Sequence, residues 1–279
     1  DSGKPVSLSW LYERDRLNLL KIEVERQMRH FAAIATVKVT NLQRSAATIA
    51  ARDARDAIAK AADAGHGGAP ITGSGDTITS LAGYAGDGQP LRLLFDRIAP
   101  LVSNGVADEI TQAVARRAPV REIAELVRER SGIGLARSLL IARQETFRVY
   151  RSEVLSTYQA SGVVKRWKWQ AALDLRTCII CWLMDGKEFP LTAPFASHVG
   201  CRCTQTPVMD LTPPRMTGVD RFEKLEPGVQ KDLLGPATFK AWKAGDLDLE
   251  DLIGVRHSPT WGTTRFIRSL KDVLKPSAV

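Results

Sequence analysis

"TCIICWLMDG" (Thr177–Gly186) and "SHVGCRC" (Ser197–Cys203) together hold every cysteine of a 279-residue chain. The spacing is Cys178-x2-Cys181-x16-His198-x2-Cys201-x1-Cys203. Two sulfurs separated by two residues can grip one tetrahedral ion from a tight turn, and a second group on a distant loop completes the shell. The spacing therefore predicts a metal site, with zinc as the ion, drawn from Cys178, Cys181, His198, Cys201 and Cys203. That is one donor more than a tetrahedral ion needs. Cys201 and Cys203, at i and i+2, face the same way on an extended backbone. His198 is then the spare, or it replaces one of them. Structural zinc supplies ~10–16 kcal/mol of apparent folding energy in small peptides. That would hold an irregular segment rich in Gly, Pro, Thr and Asp.

Three other uses of these thiols stand beside the metal. Two disulfides need an oxidising compartment, and no export signal is visible. A redox Cys-x-x-Cys pair sits at a helix N-terminus in a βαβ setting, and no such setting precedes Cys178. A nucleophile pair of Cys178 or Cys201 with His198 has no orienting third group in the sequence.

Working outward, "VVKRWKWQ" (Val163–Gln170) changes the apolar period to two and predicts a strand. Trp167 and Trp169 fall on one face, as cover for a small core or as a stacking platform for bases. Asp185-Gly186 reads as a turn. Upstream the chain is helical. Residues 6–64 contain no glycine or proline. Leu17, Leu20, Val24, Met28 and Phe31 mark one apolar helical face. The β-branched cluster at Ile34–Asn41 is a place for a break or kink, so the stretch reads as one long helix or two in line. Gly65–Pro90 holds eight glycines and predicts a linker. Helices resume at 91, with Pro119 in a first turn and Ser131-Gly132 as a stop. A further helix follows, ended by Ser161-Gly162. Its stripe of Leu139, Leu140, Ala142, Phe147, Tyr150, Val154 and Tyr158 is expected to be buried. The fold class expected is mainly α with a small β, zinc-pinned subdomain (α+β). Its segments are a helical arm at 1–64, a linker at 65–90, a domain at 91–210 carrying the Cys/His module, and a C-terminal extension at 211–279.

Net charge is +8, a mild excess concentrated upstream. Residues 26–60 carry seven Lys/Arg against two Asp, a net +5, and residues 61–100 are net −2. A solvated helix face explains this. Contact with an anionic partner such as DNA is the alternative, and it singles out Arg44, Arg52 and Arg55, with Lys165, Arg166 and Lys168 on the strand. No window approaches the ~20 apolar residues of a membrane span. No catalytic constellation is identified, so a structural rather than enzymatic protein is expected.

The motifs also resemble a known family. "Leu175-Arg176-Thr177-Cys178", Cys181, "Met184-Asp185-Gly186-Lys187-Glu188-Phe189-Pro190" and "His198-x-x-Cys201-Arg202-Cys203-Thr204" are similar to the phage head morphogenesis family, the Mu F-like minor capsid proteins. The helix "Ile141-Ala142-Arg143-Gln144-Glu145-Thr146" and the strand "Gly162-Val163-Val164-Lys165-Arg166-Trp167" precede them in the family's order. The resemblance runs over roughly 105–208. This chain has Ile179 where the family commonly has Pro, His198-Val199-Gly200-Cys201 in place of His-Pro-Asn-Cys, and Gln144 in place of Thr. No candidate ligand is lost. The resemblance implies a virion component inside the head of a tailed phage or phage-like particle, assembled in the host cytoplasm. Its expected place is the portal vertex, in contact with the portal protein. Further partners it implies are the major capsid protein, other copies of itself and packaged DNA, with a role in head assembly or in DNA packaging and delivery. A metal-containing DNA-binding protein or nuclease is the alternative. Arg176 and Arg202, which flank the ligands, are expected to pair with carboxylates such as Glu145 or Asp185.

Overall fold

The computed structural model describes residues 8–63, 80–115, 120–174, 176–210, 216–258 and 262–274. Pro119 and most of the glycine-rich stretch lie outside them. The architecture is mainly helical with small antiparallel sheets, an α+β class. The helices α1 (Leu8–Asp63), α2 (Leu91–Asp96), α3 (Ile98–Ala115) and α4 (Val120–Ala160) precede the first strand. Then come β1 (Arg166–Gln170), α5 (Ile179–Met184), β2 (Glu188–Pro190) and β3 (Thr204–Val208). The chain closes with α6 (Gly218–Glu223), α7 (Pro227–Leu234), α8 (Pro236–Ala244), a 3-10 turn (Leu249–Leu252), β4 (Ile253–Ser258), β5 (Gly262–Ile267) and α9 (Leu270–Val273). Two compact units emerge, one from Asp1–Leu42 with Gly83–Glu145, the other from Gln43–Ala82 with Thr146–Val279. Helices α1 and α4 contribute residues to both.

Of the two readings of the N-terminal stretch, one long helix is the one found, and the expected stop at Ser131-Gly132 is absent. The β-branched cluster at 34–41 runs through α1 without interruption. Thr36 donates its hydroxyl to the Ala32 carbonyl at 2.8 Å, so its polar group is satisfied inside the helix. Nor does Ser131-Gly132 stop a helix, because α4 is continuous from Val120. A neighbouring glycine has a packing role instead. A Cβ on Gly134 would lie 2.6 Å from Val102 Cγ2, so its bare backbone admits the side chain from α3. The stripe expected on α4 is also buried only in part: Val154 and Tyr158 are buried, while Leu139 and Leu140 are exposed. Gly83–Pro90 closes a tight turn. Leu91 N–H donates to Gly83 O at 2.8 Å and Gln89 N–H to Asp87 Oδ1 at 3.0 Å.

In the second unit, α4 ends where Ser161-Gly162 predicts, with Gly162 at φ +70°. The three-stranded sheet has the order β2-β1-β3, antiparallel throughout. Trp167 lies opposite Phe189 and Pro207, and Trp169 opposite Gln205. Both tryptophans are core residues, at 1% and 0% exposure. Trp167 stacks on Phe189 with ring centroids 4.4 Å apart and Trp169 on Phe195 at 3.9 Å. Ala50, Ala54 and Ile58 of α1 and Val154 and Tyr158 of α4 join the same core, and so do Cys181, Cys201 and Cys203. Ala50 and Ala54, one turn apart on the same face as Ile58, let α1 approach closely. The cysteine segment is therefore part of a large core and not a loop pinned apart from one.

A second core sits on the other side of α5. Ile180, Cys181 and Met184 face the tryptophan core, while Trp182 and Leu183 face Phe222, Ala241, Leu247, Leu249, Leu252 and Val273. The C-terminal extension, unremarkable in sequence, thus covers the helix that carries Cys181. Gly218 is decisive at the contact, since a Cβ there would lie 1.9 Å from the Trp182 carbonyl oxygen. Thr217 and Asp220 form a capping box that starts α6 at that point. Replacing Phe222, fully buried between Trp182 and Trp242, by alanine should cost about 3–5 kcal/mol in urea unfolding. A loss below about 1 kcal/mol would show that the extension does not support α5.

Candidate metal centre

Cys178 is the N-cap residue of α5, and Cys181 lies one turn on. The Asp185-Gly186 turn closes the helix and ties it to the sheet. Gly186, at φ +79°, donates its N–H to the Trp169 carbonyl at 2.9 Å. The buried Asp185 carboxylate accepts Ala171 N–H at 2.8 Å and meets Arg221 at 3.3 Å. His198, Cys201 and Cys203 come in on the segment leading to β3, with Gly200 at φ +78° providing the bend.

These elements gather all five predicted donors. The ligand atoms of Cys178, Cys181 and His198 lie within 4.8 Å of one another, and so do those of Cys181, Cys201 and Cys203. Cys181 is common to both groups. His198 Nε2 is 3.1 Å from the sulfurs of Cys178 and of Cys181, and the Cys181 and Cys201 sulfurs are 3.8 Å apart. Tetrahedral zinc with its usual bond lengths places two sulfurs about 3.8 Å apart and a sulfur and nitrogen about 3.6 Å apart. The cluster is therefore at ligand spacing, with His198 needing to retreat by about half an ångström. His198 Nδ1 lies 2.9 Å from the Val199 carbonyl oxygen. A carbonyl only accepts, so Nδ1 carries the proton and Nε2 is left to face the sulfurs. The donor set fits a soft or borderline divalent cation.

Electrostatics agree. Burial disfavours a charged His198, but hydrogen bonds to Cys178 and Cys201 and their thiolate charge outweigh it and lift the imidazole to about 10. The hydrogen bond with Cys181 pulls the Cys178 thiol down to about 4 and lowers Cys201 as well. The same bonds hold Cys181 up as a protonated thiol. Protons are thus shared among tightly placed sulfurs and one nitrogen, which is the arrangement a central cation replaces. A cavity of about 40 Å³ opens among the donors, with Arg176, Thr177 and Arg202 also at its walls. It has room for an ion or a water, and is far below the ~300 Å³ of a small-molecule site.

The flanking ion pairs differ from those expected. Arg202 makes a two-pronged contact with Asp174 at 2.7 and 3.0 Å, and Arg176 reaches the same carboxylate at 3.6 Å. Neither pairs with Asp185, which has Arg221, because Asp174 sits four residues before Cys178 and is the carboxylate within reach. Hydrogen bonds from Arg202 and Thr177 hold Asp174 well below the usual carboxylate range. Sequence reasoning missed Arg151. Buried on α4, it donates from Nε to the Cys203 carbonyl and from Nη2 to the Cys201 carbonyl, both at 2.9 Å, and from Nη1 to Ser197 Oγ at 3.1 Å. Burial pulls its guanidinium down, and the neighbouring cysteines, Cys201 first, offset part of that cost. The available signal was an arginine lying within the Phe147-Val154-Tyr158 face of an amphipathic helix.

The suggested nucleic-acid residues divide. Arg44, Arg52 and Arg55 are exposed along one side of α1, with Arg52 near Asp53 at 3.1 Å. Lys165 and Arg166 are exposed on the strand, and Arg166 pairs with Glu188 at 2.8 Å. Lys168 is not at the surface. Its side chain is 7% exposed and its amine lies 3.6 Å from Glu188. With Trp167 and Trp169 also buried, β1 offers no stacking platform, because Phe189 and Phe195 already cover the rings.

The helix-backed sheet and the gathered thiols and imidazole define a cysteine-rich α+β module whose donors could hold a metal ion. Residues 104–206 match the family model described as Phage Mu protein F like protein, consistent with a phage head morphogenesis family. No curated protein and no solved structure gives a significant match to the chain. The matched segment includes all five donors and ends inside β3, before the extension that covers α5.

Because Cys181 belongs to both donor groups, Cys181→Ser should abolish uptake of a stoichiometric thiophilic ion. Cys203→Ser should retain it, since Cys178, Cys181, His198 and Cys201 still form a complete set. Co²⁺ titration read by the sulfur-to-metal absorption band separates the two. Equal loss in both variants would assign the fourth position to Cys203.

Proposed function

We propose that the protein is a structural head-morphogenesis component of a tailed phage or phage-like particle, a minor capsid protein without catalytic activity of its own, whose Mu F-like module is held by zinc. The family match over residues 104–206 carries this reading. The site's chemistry supports it: the donors lie in the main core, and the cavity beside them admits an ion and no substrate. Zinc is the cation that best suits a tetrahedral set of thiolates and imidazole. By the same family reading, the protein resides inside the head at the portal vertex. There it meets the portal protein and neighbouring capsid subunits and aids assembly or DNA packaging and delivery. No helix among the described residues is long and apolar enough to cross a membrane.

Elemental analysis of the purified protein should find one zinc per chain. Chelation or acid, which protonates the ligands, should release it and render residues 163–208 protease-sensitive. Since Ala50, Ala54, Ile58, Val154 and Tyr158 share that core, the ends of α1 and α4 should loosen too. A metal-free chain that resists protease equally well would dismiss the zinc. In imaged particles, density for this protein away from the portal vertex would dismiss the placement.

The exposed Arg44, Arg52 and Arg55 on one side of α1 favour a second reading, a metal-containing DNA-binding protein or nuclease. Binding to duplex DNA that weakens steeply from 50 to 200 mM salt would support it. No binding at low salt, with no cleavage in Mg²⁺ or Mn²⁺, would remove it.

A further inference from the structure

We infer that Arg151 is the positioning residue of the thiolate centre: its charge and its forked donors hold the Ser197–Cys203 loop with the sulfurs gathered around one point. This rests on the metal reading above. A guanidinium that is 3% exposed is costly to bury unless its charge and its donors are answered. Its three hydrogen-bonding groups go to Ser197 Oγ and to the carbonyls of Cys201 and Cys203, stations that bracket His198 and both loop cysteines. Phe195 covers it at 4.6 Å and Phe147 at 5.2 Å. None of these partners is a carboxylate. The guanidinium instead faces the cysteine cluster, to whose loop it is bound by all three of these hydrogen bonds.

Charge arithmetic gives the interaction a direction. Three thiolates, a neutral imidazole and a divalent ion sum to −1, and Arg151 brings the buried ensemble to zero. Four thiolates would leave −1. The guanidinium thus favours the set that includes His198. It also fixes the loop to α4 through a residue 52 positions before Cys203. A lysine would restore the charge without the planar fork that reaches three stations at once.

The test uses the full chain and Zn²⁺ affinity measured by competition with a chromogenic chelator. Arg151→Met should bind Zn²⁺ about 10–100-fold more weakly. Arg151→Lys should recover part of that loss. The Co²⁺ absorption band of the variants should stay where the unchanged protein has it, because the ligands are the same. Affinity within about twofold of the unchanged protein in Arg151→Met, or equal losses in the two variants, would overturn the inference. Should Arg151→Met fail to fold, Ser197→Ala removes one station and leaves the guanidinium in place. A severalfold loss there supports the role and unchanged affinity overturns it. An unchanged protein that takes up no Zn²⁺ would retire the metal reading and this inference together. Uptake that is indifferent to residue 151 retires only the latter.

Discussion

The sulfur of Cys181 is the point on which this chain's second unit is organised. It belongs to both donor groups of the candidate metal centre, and it is also a core atom, packed with Trp167, Trp169 and the alanine face of α1. Its helix has six residues, too few to persist alone in water. That helix is held by a core on each side and by the Asp185-Gly186 turn, whose backbone bonds fasten it to β1. Chemistry and packing therefore share one short element. Any change in how the thiols are satisfied is felt directly by the sheet and by two long helices.

Much of this was legible in the sequence, for identifiable reasons. The glycine-free, proline-free stretch gave α1, the shift to a period of two gave β1, and the cysteine spacing gave the donors. In each case one local physical rule was sufficient. The misreadings have a common cause, which is packing overriding local propensity. Ser131-Gly132 has the composition of a helix stop, yet α4 continues there. The β-branched run at 34–41 raises the local cost of helix, but one continuous helix still forms. Lys168 looks like part of a basic surface, but it is buried beside Glu188, while Trp167 and Trp169 take the core-covering role that was one of their two readings. Glu188 lies 20 residues beyond Lys168, where no local pattern points to it.

Arg151 and the C-terminal extension were illegible for a related reason. A single arginine in an apolar face reads as an imperfection until its three carbonyl and hydroxyl partners are in place. Phe222, Leu247, Leu249 and Leu252 lie on short, weakly periodic elements whose apolar faces acquire meaning only against Trp182 and Leu183. The family match ends at residue 206. Physically the cysteine helix does not end its dependence there, since Trp182 and Leu183 pack against residues beyond that limit. A sequence family boundary and a packing boundary are different quantities, and here they disagree by about the length of a second small core.

The order in which these parts leave a ribosome adds a consequence of the Trp182–Phe222 contact. During synthesis Cys178 and Cys181 emerge first, then His198 and the remaining two thiols, and the residues that close the far side of α5 come last, out to Val273. Contacts of such long sequence separation form slowly. A nascent chain therefore presents four reduced sulfurs before the cover that shelters their helix has been made. Gathering of the thiols and docking of the extension become consecutive events in its maturation, with the thiols open to oxidants during the interval.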